Sequence, residues 1–410
     1  MTPTHDALET LLQHVTATVG TETVPVSSAL GRITAEDIIS PVDLPPFERA
    51  AMDGYAVRAE DTYSASTSSP VTLRSIGDLQ IGEATNLLLG KNETASIVTG
   101  AQMPGSANAV VMVEYTKKIS DDQVEIYTES RPGENISRVG EDVQKGDIVF
   151  RRGIKILPPD VGMLTSLGLQ QIPVVCKPRI AILSTGNELR HDAHTIGKIA
   201  DANRPMLISA VKDLGCEPVD MGIVGDDAEA IHDKLLDGIR SADAMLVTAG
   251  TSVGPHDIVP KVIDSIGKPG MLVHGVAMRP SMPTGLAAVD GKAVISLPGY
   301  PVSAYIAFIE FVRPLIAHLL RTKPLPPPTV KARLSRRIAG ILGSRTYIRV
   351  KVTFEKTELV AEPIRTSGAG ILSSLIHSNG FIIVPEHVEG YEEGELVDVE
   401  LYRPWETSGN

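Results

Sequence analysis

The chain has 410 residues, more than one ordinary hydrophobic core accommodates, so several domains are expected. Its 42% apolar and 21% charged content is that of a globular protein in water. A formal net charge of -12 argues against a nucleic-acid partner, because binding to phosphate backbones rests on Lys and Arg. No apolar run reads as long enough to span a membrane, and Met1 to Val15 has neither a basic n-region nor an apolar h-region, so a cytoplasmic protein without membrane contact is expected. The two cysteines, Cys176 and Cys216, lack CxxC or Cys/His spacing; both read as buried thiols rather than a disulfide or zinc site.

Leu8, Leu11, Leu12 and Val15 recur at helical spacing and predict a short amphipathic helix. From Pro41 the texture changes: Pro45 and Pro46 follow, then short β-type runs at Val71 to Ile76, Ser96 to Val98, Ala109 to Tyr115 and Val124 to Tyr127. Asp121-Asp122 reads as a hairpin turn between the last two, and Ser64 to Ser69 as a polar loop tip. This is a small all-β insertion, since helical character returns from Pro158-Pro159-Asp160 to Leu167. From Arg179 strand and helix alternate: strand Ile180 to Leu183, helix Pro205 to Leu214, strand Pro218 to Val224, helix Ala228 to Ile239, then strands Ala244 to Val247 and Ala293 to Leu297. That alternation predicts a doubly wound parallel sheet whose loops gather on one edge. Pro324-Leu325-Pro326-Pro327-Pro328 reads as a stiff linker, followed by strands Arg345 to Thr353, Gly380 to Pro385 and Glu395 to Leu401 of a small barrel or sandwich.

The loops at that edge are Ser184-Thr185-Gly186-Asn187-Glu188, Gly225-Asp226-Asp227, Thr248-Ala249-Gly250-Thr251-Ser252-Val253-Gly254-Pro255-His256-Asp257 and Pro298-Gly299-Tyr300-Pro301-Val302-Ser303. Small residues and hydroxyls leading into a helix N-terminus suit phosphate. The acids Glu188, Asp226, Asp227 and Asp257 beside them would repel it unless a divalent cation stands between, which points to Mg²⁺ on a pyrophosphate. Any one of these acids could instead cap its own helix. Arg49 to Val57 and Thr99-Gly100-Ala101 read by themselves as ordinary turns. Arg279 is a candidate oxyanion ligand, and Arg345, Arg349, Ser373 and Ser374 could add donors. Gly368-Ala369-Gly370 precedes no βαβ unit, and no Walker A sequence is present.

Together, Ala51-Met52-Asp53-Gly54-Tyr55-Ala56-Val57, Thr99-Gly100-Ala101, Ser184 to Leu189, Thr248 to Gly254 and Leu297 to Ser303 resemble the molybdopterin molybdenumtransferase family, the MoeA and gephyrin E-domain group. The resemblance implies an α/β multidomain protein in four parts. These are an elongated linker and dimerisation segment built from residues 1–44 and 139–175, an inserted β domain at 45–138, a doubly wound molybdopterin-binding domain at 176–322 and a C-terminal β-barrel-like domain at 323–410. It further implies a homodimer whose site combines Asp53 and Thr99 of one subunit with Glu188, Asp226 and Asp257 of the other. The implied reaction inserts molybdate or tungstate into adenylylated molybdopterin, with Mg²⁺ held by Glu188, Asp226 and Asp257, and releases AMP. Substrate contacts are implied at Thr185, Gly186, Thr248, Gly250, Thr251, Ser252, Gly254, Arg279, Pro298, Gly299, Pro301 and Ser303, and molybdate contacts at Arg279, Arg345 and Ser373. An adenylyltransferase and molybdoenzymes are the implied partners. The family pattern carries a second lysine where this chain has Met282, a glycine at Ala249 and often asparagine at Tyr300. Loss of that cation favours a competing function, a non-catalytic scaffold of the same fold that holds molybdopterin or a partner protein; a hydrolase of nucleotide pyrophosphates using the same acids is a third alternative.

Overall fold

The computed structural model describes residues 1–191, 196–248, 258–365, 368 and 370–407. The chain folds into two compact units: one comprises Met1–Thr23, Gly31–Ala35 and Pro173–Asn410, the other Val24–Leu30 and Glu36–Ile172.

The second unit contains a six-stranded sheet in the order Ala109–Met112, Gly54–Val57, Glu93–Ile97, Val71–Leu79, Gln123–Ile126, Thr116–Lys118. Side chains alternate between faces along a strand, so Ala56, Ala95 and Val110 feed one apolar cluster while Val57, Ala109 and Val111 feed another. The hairpin around Asp121 and Asp122 is formed by Thr116–Lys118 and Gln123–Ile126. Its first strand is therefore not Ala109 to Tyr115, because a 3₁₀ turn at Val113–Tyr115 separates the two. The same unit includes a ribbon made from distant pieces of chain, Ile38–Ile39 paired antiparallel with Ile148–Phe150, and the helix Pro158–Ser166.

The other unit is built on a six-stranded sheet in the order Glu217–Val224, Arg179–Thr185, Ala244–Thr248, Lys292–Leu297, Gly285–Val289, Pro269–His274. The first four strands are parallel, as expected, but Gly285–Val289 runs antiparallel to both its neighbours, so the sheet is mixed. The reason is a two-residue turn at Asp290 and Gly291, both at positive φ, which reverses the chain between Gly285–Val289 and Lys292–Leu297. Ile180, Ile182, Ala244 and Leu246 face the helices Asn203–Asp213 and Pro301–Ala307, while Ala181, Leu183, Met245 and Val247 face Ala228–Ser241 and Ile258–Ile266. The N-terminal helix Thr4–His14 buries Ala7 and Leu11 in the first of these layers.

One expectation is overturned here. Pro301–Leu319 is a helical run long and apolar enough to cross a membrane, contrary to the sequence reading, but 67% of it is buried inside the protein. It is the central core helix of this unit, interrupted by a π turn at Phe308–Val312. Of the two cysteines, Cys216 is buried and its thiol is pushed up to about 12 by burial, whereas Cys176 is only half-buried.

Beyond the proline run, Arg345–Glu355, Glu358–Arg365, Thr329–Leu334, Leu396–Leu401 and Gly380–Val384 pair in that order. Gly380–Val384 pairs back onto Arg345–Glu355, closing a five-stranded barrel filled by Leu334, Ile348, Val350, Ile382, Val384 and Val399. The opposite face of the barrel wall contributes Tyr347 and Phe381 to the core of the α/β sheet. Apolar packing thus continues across the linker at Pro324 to Pro328, which joins two parts of one compact unit.

Where Gly380–Val384 stops pairing with Arg345–Glu355, the buried Asn379 side chain continues the ladder. Its Oδ1 accepts from the Val352 N–H at 2.7 Å, and its Nδ2 donates to the Val352 carbonyl at 2.9 Å. Asn379→Ala leaves both backbone groups without these partners in a dry site, so a loss of about 3 kcal/mol is expected in urea unfolding of this unit; a loss under about 1 kcal/mol would mean that other partners take over.

Candidate functional site

The loops after Arg179–Thr185 and Glu217–Val224 lie side by side, joined by the Gly186 N–H donating to the Val224 carbonyl at 3.0 Å. Above that contact, Asn187 and Asp226 form a reciprocal pair. The Asn187 N–H donates to Asp226 Oδ2 at 3.1 Å, and the Asp226 N–H donates to Asn187 Oδ1 at 3.2 Å. Glu188 folds back over Gly186, where an added Cβ would lie 2.7 Å from both carboxylate oxygens. Glu188 and Asp226 are exposed on either side of Asn187. Asp227 is different: its Oδ1 accepts from Ala230 N at 2.8 Å, so it is the cap of Ala228–Ser241, the simpler of its two readings.

Arg204, in the first turn of Asn203–Asp213, braces this edge from beneath. Its Nε donates to Asp201 Oδ2 at 2.9 Å, its Nη1 bonds Asp220 on the Glu217–Val224 strand, and its Nη2 lies 3.3 Å from Nδ1 of His191. Burial works against the Asp220 carboxylate, but the Gly222 N–H and the Arg204 guanidinium outweigh it and hold its pKa below the usual range. Next to Arg204, the Asn203 Nδ2 donates to the carbonyl of Gly299 at 2.7 Å, fixing the loop that follows Lys292–Leu297. A cavity of about 460 Å³ opens beside Gly186, Asn187 and Gly225, with Arg190, His191 and Lys198 on its wall. Arg190 donates to Leu189 O at 2.6 Å and Lys198 to Asn187 O at 2.8 Å, so both cations are satisfied by carbonyls and keep their charge for an anion.

The hydroxyls expected to meet substrate are mostly turned inward. Thr185, Thr248 and Ser303 are buried; Ser184 and Thr248 share a hydroxyl bond at 2.9 Å, and Thr185 bonds the Thr248 carbonyl at 3.4 Å. Pro298 is buried as well, Pro301 half-buried, and Gly299 and Tyr300 exposed. Gly250, Thr251, Ser252, Gly254 and Asp257 lie outside the described residues.

In the β unit, Asp53 and Thr99 come together although 46 positions apart: Asp53 Oδ1 accepts from the Thr99 N–H at 2.6 Å and from its Oγ1 at 2.7 Å. The Thr99 N–H first, then its hydroxyl, hold the exposed Asp53 carboxyl below its ordinary pKa. The oxyanion candidates gather around the Arg345–Glu355 strand. Arg279, exposed, sits on Met278–Arg279, which pairs parallel with Arg345 and Thr346. Arg345, Tyr347 and Arg349 share one face of the strand, with Arg349 only 2% exposed. Arg345 is already engaged: its Nε is 3.7 Å from Glu310, whose other oxygen accepts from the Tyr347 hydroxyl. Ser373, exposed, opens the short helix Ser373–His377 that packs on this strand, while Ser374 turns inward to the Ile371 carbonyl at 2.6 Å.

Three family models match in series: the MoeA N-terminal region (domains I and II) over residues 2–168, a molybdopterin binding domain over 181–318, and the MoeA C-terminal region (domain IV) over 331–402. A protein of Methanocaldococcus jannaschii named for molybdopterin biosynthesis is 41% identical over 93% of this chain and 92% of its own. The molybdopterin molybdenumtransferase of Bacillus subtilis is 32% identical over 93% of this chain and 90% of its own. The chain belongs to the MoeA family. The solved structure of a molybdopterin biosynthesis MoeA protein from Pyrococcus horikoshii OT3 superposes with a TM-score of 0.85 at 34% identity, covering 98% of this chain and 100% of that one.

Within that MoeA framework, Mg²⁺ asks for one or two carboxylates, with water and phosphate oxygens completing its shell. Glu188 and the uncommitted Oδ1 of Asp226 fit that demand. Among the described residues no group of three or more His, Cys, Asp or Glu side chains gathers for a metal. Sequence reasoning assigned no role to Asn187, Asn203 or Arg204. Their only signal was position: Asn187 precedes Glu188, and Asn203-Arg204 follows Asp201 where a helix begins.

Because the folded pKa of Asp53 is depressed, its favourable contribution is present above the unfolded carboxylate pKa and is lost as pH falls through the folded value. Thr99→Ala removes the hydroxyl donor and keeps the N–H, so a carboxyl-carbon NMR titration should show the Asp53 midpoint rising part of the way to its ordinary value. An unmoved midpoint would assign the whole depression to the backbone.

Proposed function

We propose that this MoeA protein is a molybdopterin molybdenumtransferase that inserts molybdate into adenylylated molybdopterin, with cleavage of the phosphoanhydride and release of AMP. The observation that carries the reading is the reciprocal bonding of Asn187 and Asp226 on adjoining loops, with Glu188 next in the chain, beside a cavity walled by Arg190, His191 and Lys198, in a chain matched by family models almost end to end. Mg²⁺, when held by Glu188 and Asp226 with Asp257 as a third ligand, would offset the charge on the phosphoanhydride. The protein's own groups orient it: Gly299 and Tyr300 offer an exposed loop to the substrate, and Arg279 supplies an exposed guanidinium for the tetrahedral oxyanion. Arg345, held by Glu310, is the weaker candidate for that task, and Ser373 the more accessible hydroxyl.

The reading includes a cytoplasmic homodimer in which Asp53 and Thr99 of one subunit complete the site of the other. Its support is an apolar pair that a monomer leaves in water: Ile39 and Ile148 face each other on the ribbon and are 54% and 42% exposed, with Phe47 at 41% and Leu157 at 53% in the same unit. An adenylyltransferase would supply the substrate and molybdoenzymes would take up the product. Met282, where the family pattern has lysine, supports the second reading of a non-catalytic molybdopterin-binding scaffold.

The deciding measurement is AMP release from adenylylated molybdopterin with Mg²⁺ while molybdate and tungstate are titrated separately. Oxyanion-dependent release is expected, and Asp53→Asn should slow it by about a hundredfold or more. Tight binding of substrate without release would establish the scaffold, and release indifferent to oxyanion a pyrophosphate hydrolase. Sedimentation velocity should give a dimer; a monomer at assay concentration contradicts the shared site.

A further inference from the structure

Asn187 bonds Asp226, Lys198 and Arg190, three of the groups that the proposed reading uses at this edge. Its N–H and Oδ1 are both bonded to Asp226, and its carbonyl accepts from Lys198 Nζ at 2.8 Å and from Arg190 Nη1 at 3.5 Å. The residue that permits this is Gly225. A Cβ there would lie 2.7 Å from Asn187 Oδ1, and among the described residues, its chain neighbours aside, no other side chain comes within 4 Å of it. Gly225 has no left-handed backbone angle, so nothing in its own conformation requires glycine. Among the described residues, the space taken by the Asn187 amide is the demand at that position. Glu188, next in sequence, is held over Gly186 by the same turn.

We propose that Asn187 is a positioning residue for the divalent cation of the transferase site. Its side-chain Oδ1 anchors the Asp226 backbone N–H, its own backbone N–H holds Asp226 Oδ2, and Gly225 is small in order to admit the side chain. The inference rests on the proposed Mg²⁺-dependent reading, yet it makes a separate demand. Without that side-chain anchor the Asp226 carboxylate keeps its charge and its bond from the backbone N–H of residue 187, but the Asp226 backbone that directs it is released, and lost outer-shell support of this kind typically weakens metal affinity by about 10–100-fold. Since Gly225 acts only through the Asn187 amide, substitutions at the two positions should not add.

The test uses the full chain and Mn²⁺ as a spin probe, with free Mn²⁺ counted by electron paramagnetic resonance for wild type, Asn187→Ala, Gly225→Ala and the double variant. Each single variant should weaken Mn²⁺ binding by about tenfold, and the double variant by about tenfold rather than a hundredfold. Asn187 is exposed and Gly225 only half-buried, so the unfolding midpoints should agree within about 2 °C. Unchanged Mn²⁺ affinity in Asn187→Ala overturns the proposal, as do losses that multiply in the double variant or that track a fall in the unfolding midpoint. Wild type that binds Mn²⁺ no better than Asp226→Asn refutes the metal site itself and the inference with it. If AMP release fails while the Mn²⁺ pattern holds, the transferase reading falls and the role of Asn187 in holding the cation stands.

Discussion

The edge of the α/β sheet depends on one buried guanidinium. Removing a charge from water is costly, and the cost is recovered only when every donor finds a well-placed partner. Arg204 does so by reaching Asp201, Asp220 and His191 at once, and these belong to the approach to its own helix, a neighbouring strand and the segment after Glu188. Asn203 extends the brace to Gly299. Three loops of different origin are thus referred to a single helical turn, which is why the reciprocal pair of Asn187 and Asp226 can hold a defined geometry although both residues are exposed. The acids that face solvent owe their order to an ion pair that does not.

Much of this was legible in the residues. Alternation of apolar residues with turn signals marked nearly every parallel strand, because a strand buried on both faces must be continuously apolar. The antiparallel pair escaped notice although Asp290-Gly291 between two apolar runs is a strong hairpin signal; the prolines and glycines of Lys268-Pro269-Gly270 and Gly275 disguised the strand on its far side. Of the residues expected at the site, Glu188 and Asp226 do lie exposed at that edge, whereas the hydroxyls of Thr185, Thr248 and Ser303 are buried. Thr185, Thr248 and Ser303 look like loop donors, but each sits at a strand or helix end with its side chain turned into the core. A sequence states that a hydroxyl is present at a loop; which face of the last residue points outward depends on register. The closeness of Asp53 and Thr99 was beyond local pattern, since it arises from pairing of Gly54–Val57 with Glu93–Ile97.

A second charged centre lies on the barrel wall, and it divides the labour among arginines that look alike in the sequence. Glu310 lies in the π turn that interrupts the core helix, a kind of local distortion often found at functional sites. It engages Arg345 and the buried Tyr347, whose pKa is raised well above normal by burial and then by the Glu310 charge. The Arg345 guanidinium pairs with Glu310 at 3.7 Å and thereby joins the barrel to the sheet. Arg279, on the neighbouring strand, is open to solvent.

The ribbon of the β unit also bears on the order of events as the chain folds. Ile39 and Ile148 pair directly, yet about a hundred residues separate them, and closing so long a loop in an unstructured chain is slow. The strands of the intervening sheet are joined largely by nearer connections. Once that sheet has formed it replaces most of the loop with a compact body, and the two ends meet over a short remaining path. During synthesis the segment around Ile38–Ile39 must therefore wait, apolar and unpaired, while the whole β sheet emerges behind it. In that interval the nascent chain is most prone to mispairing.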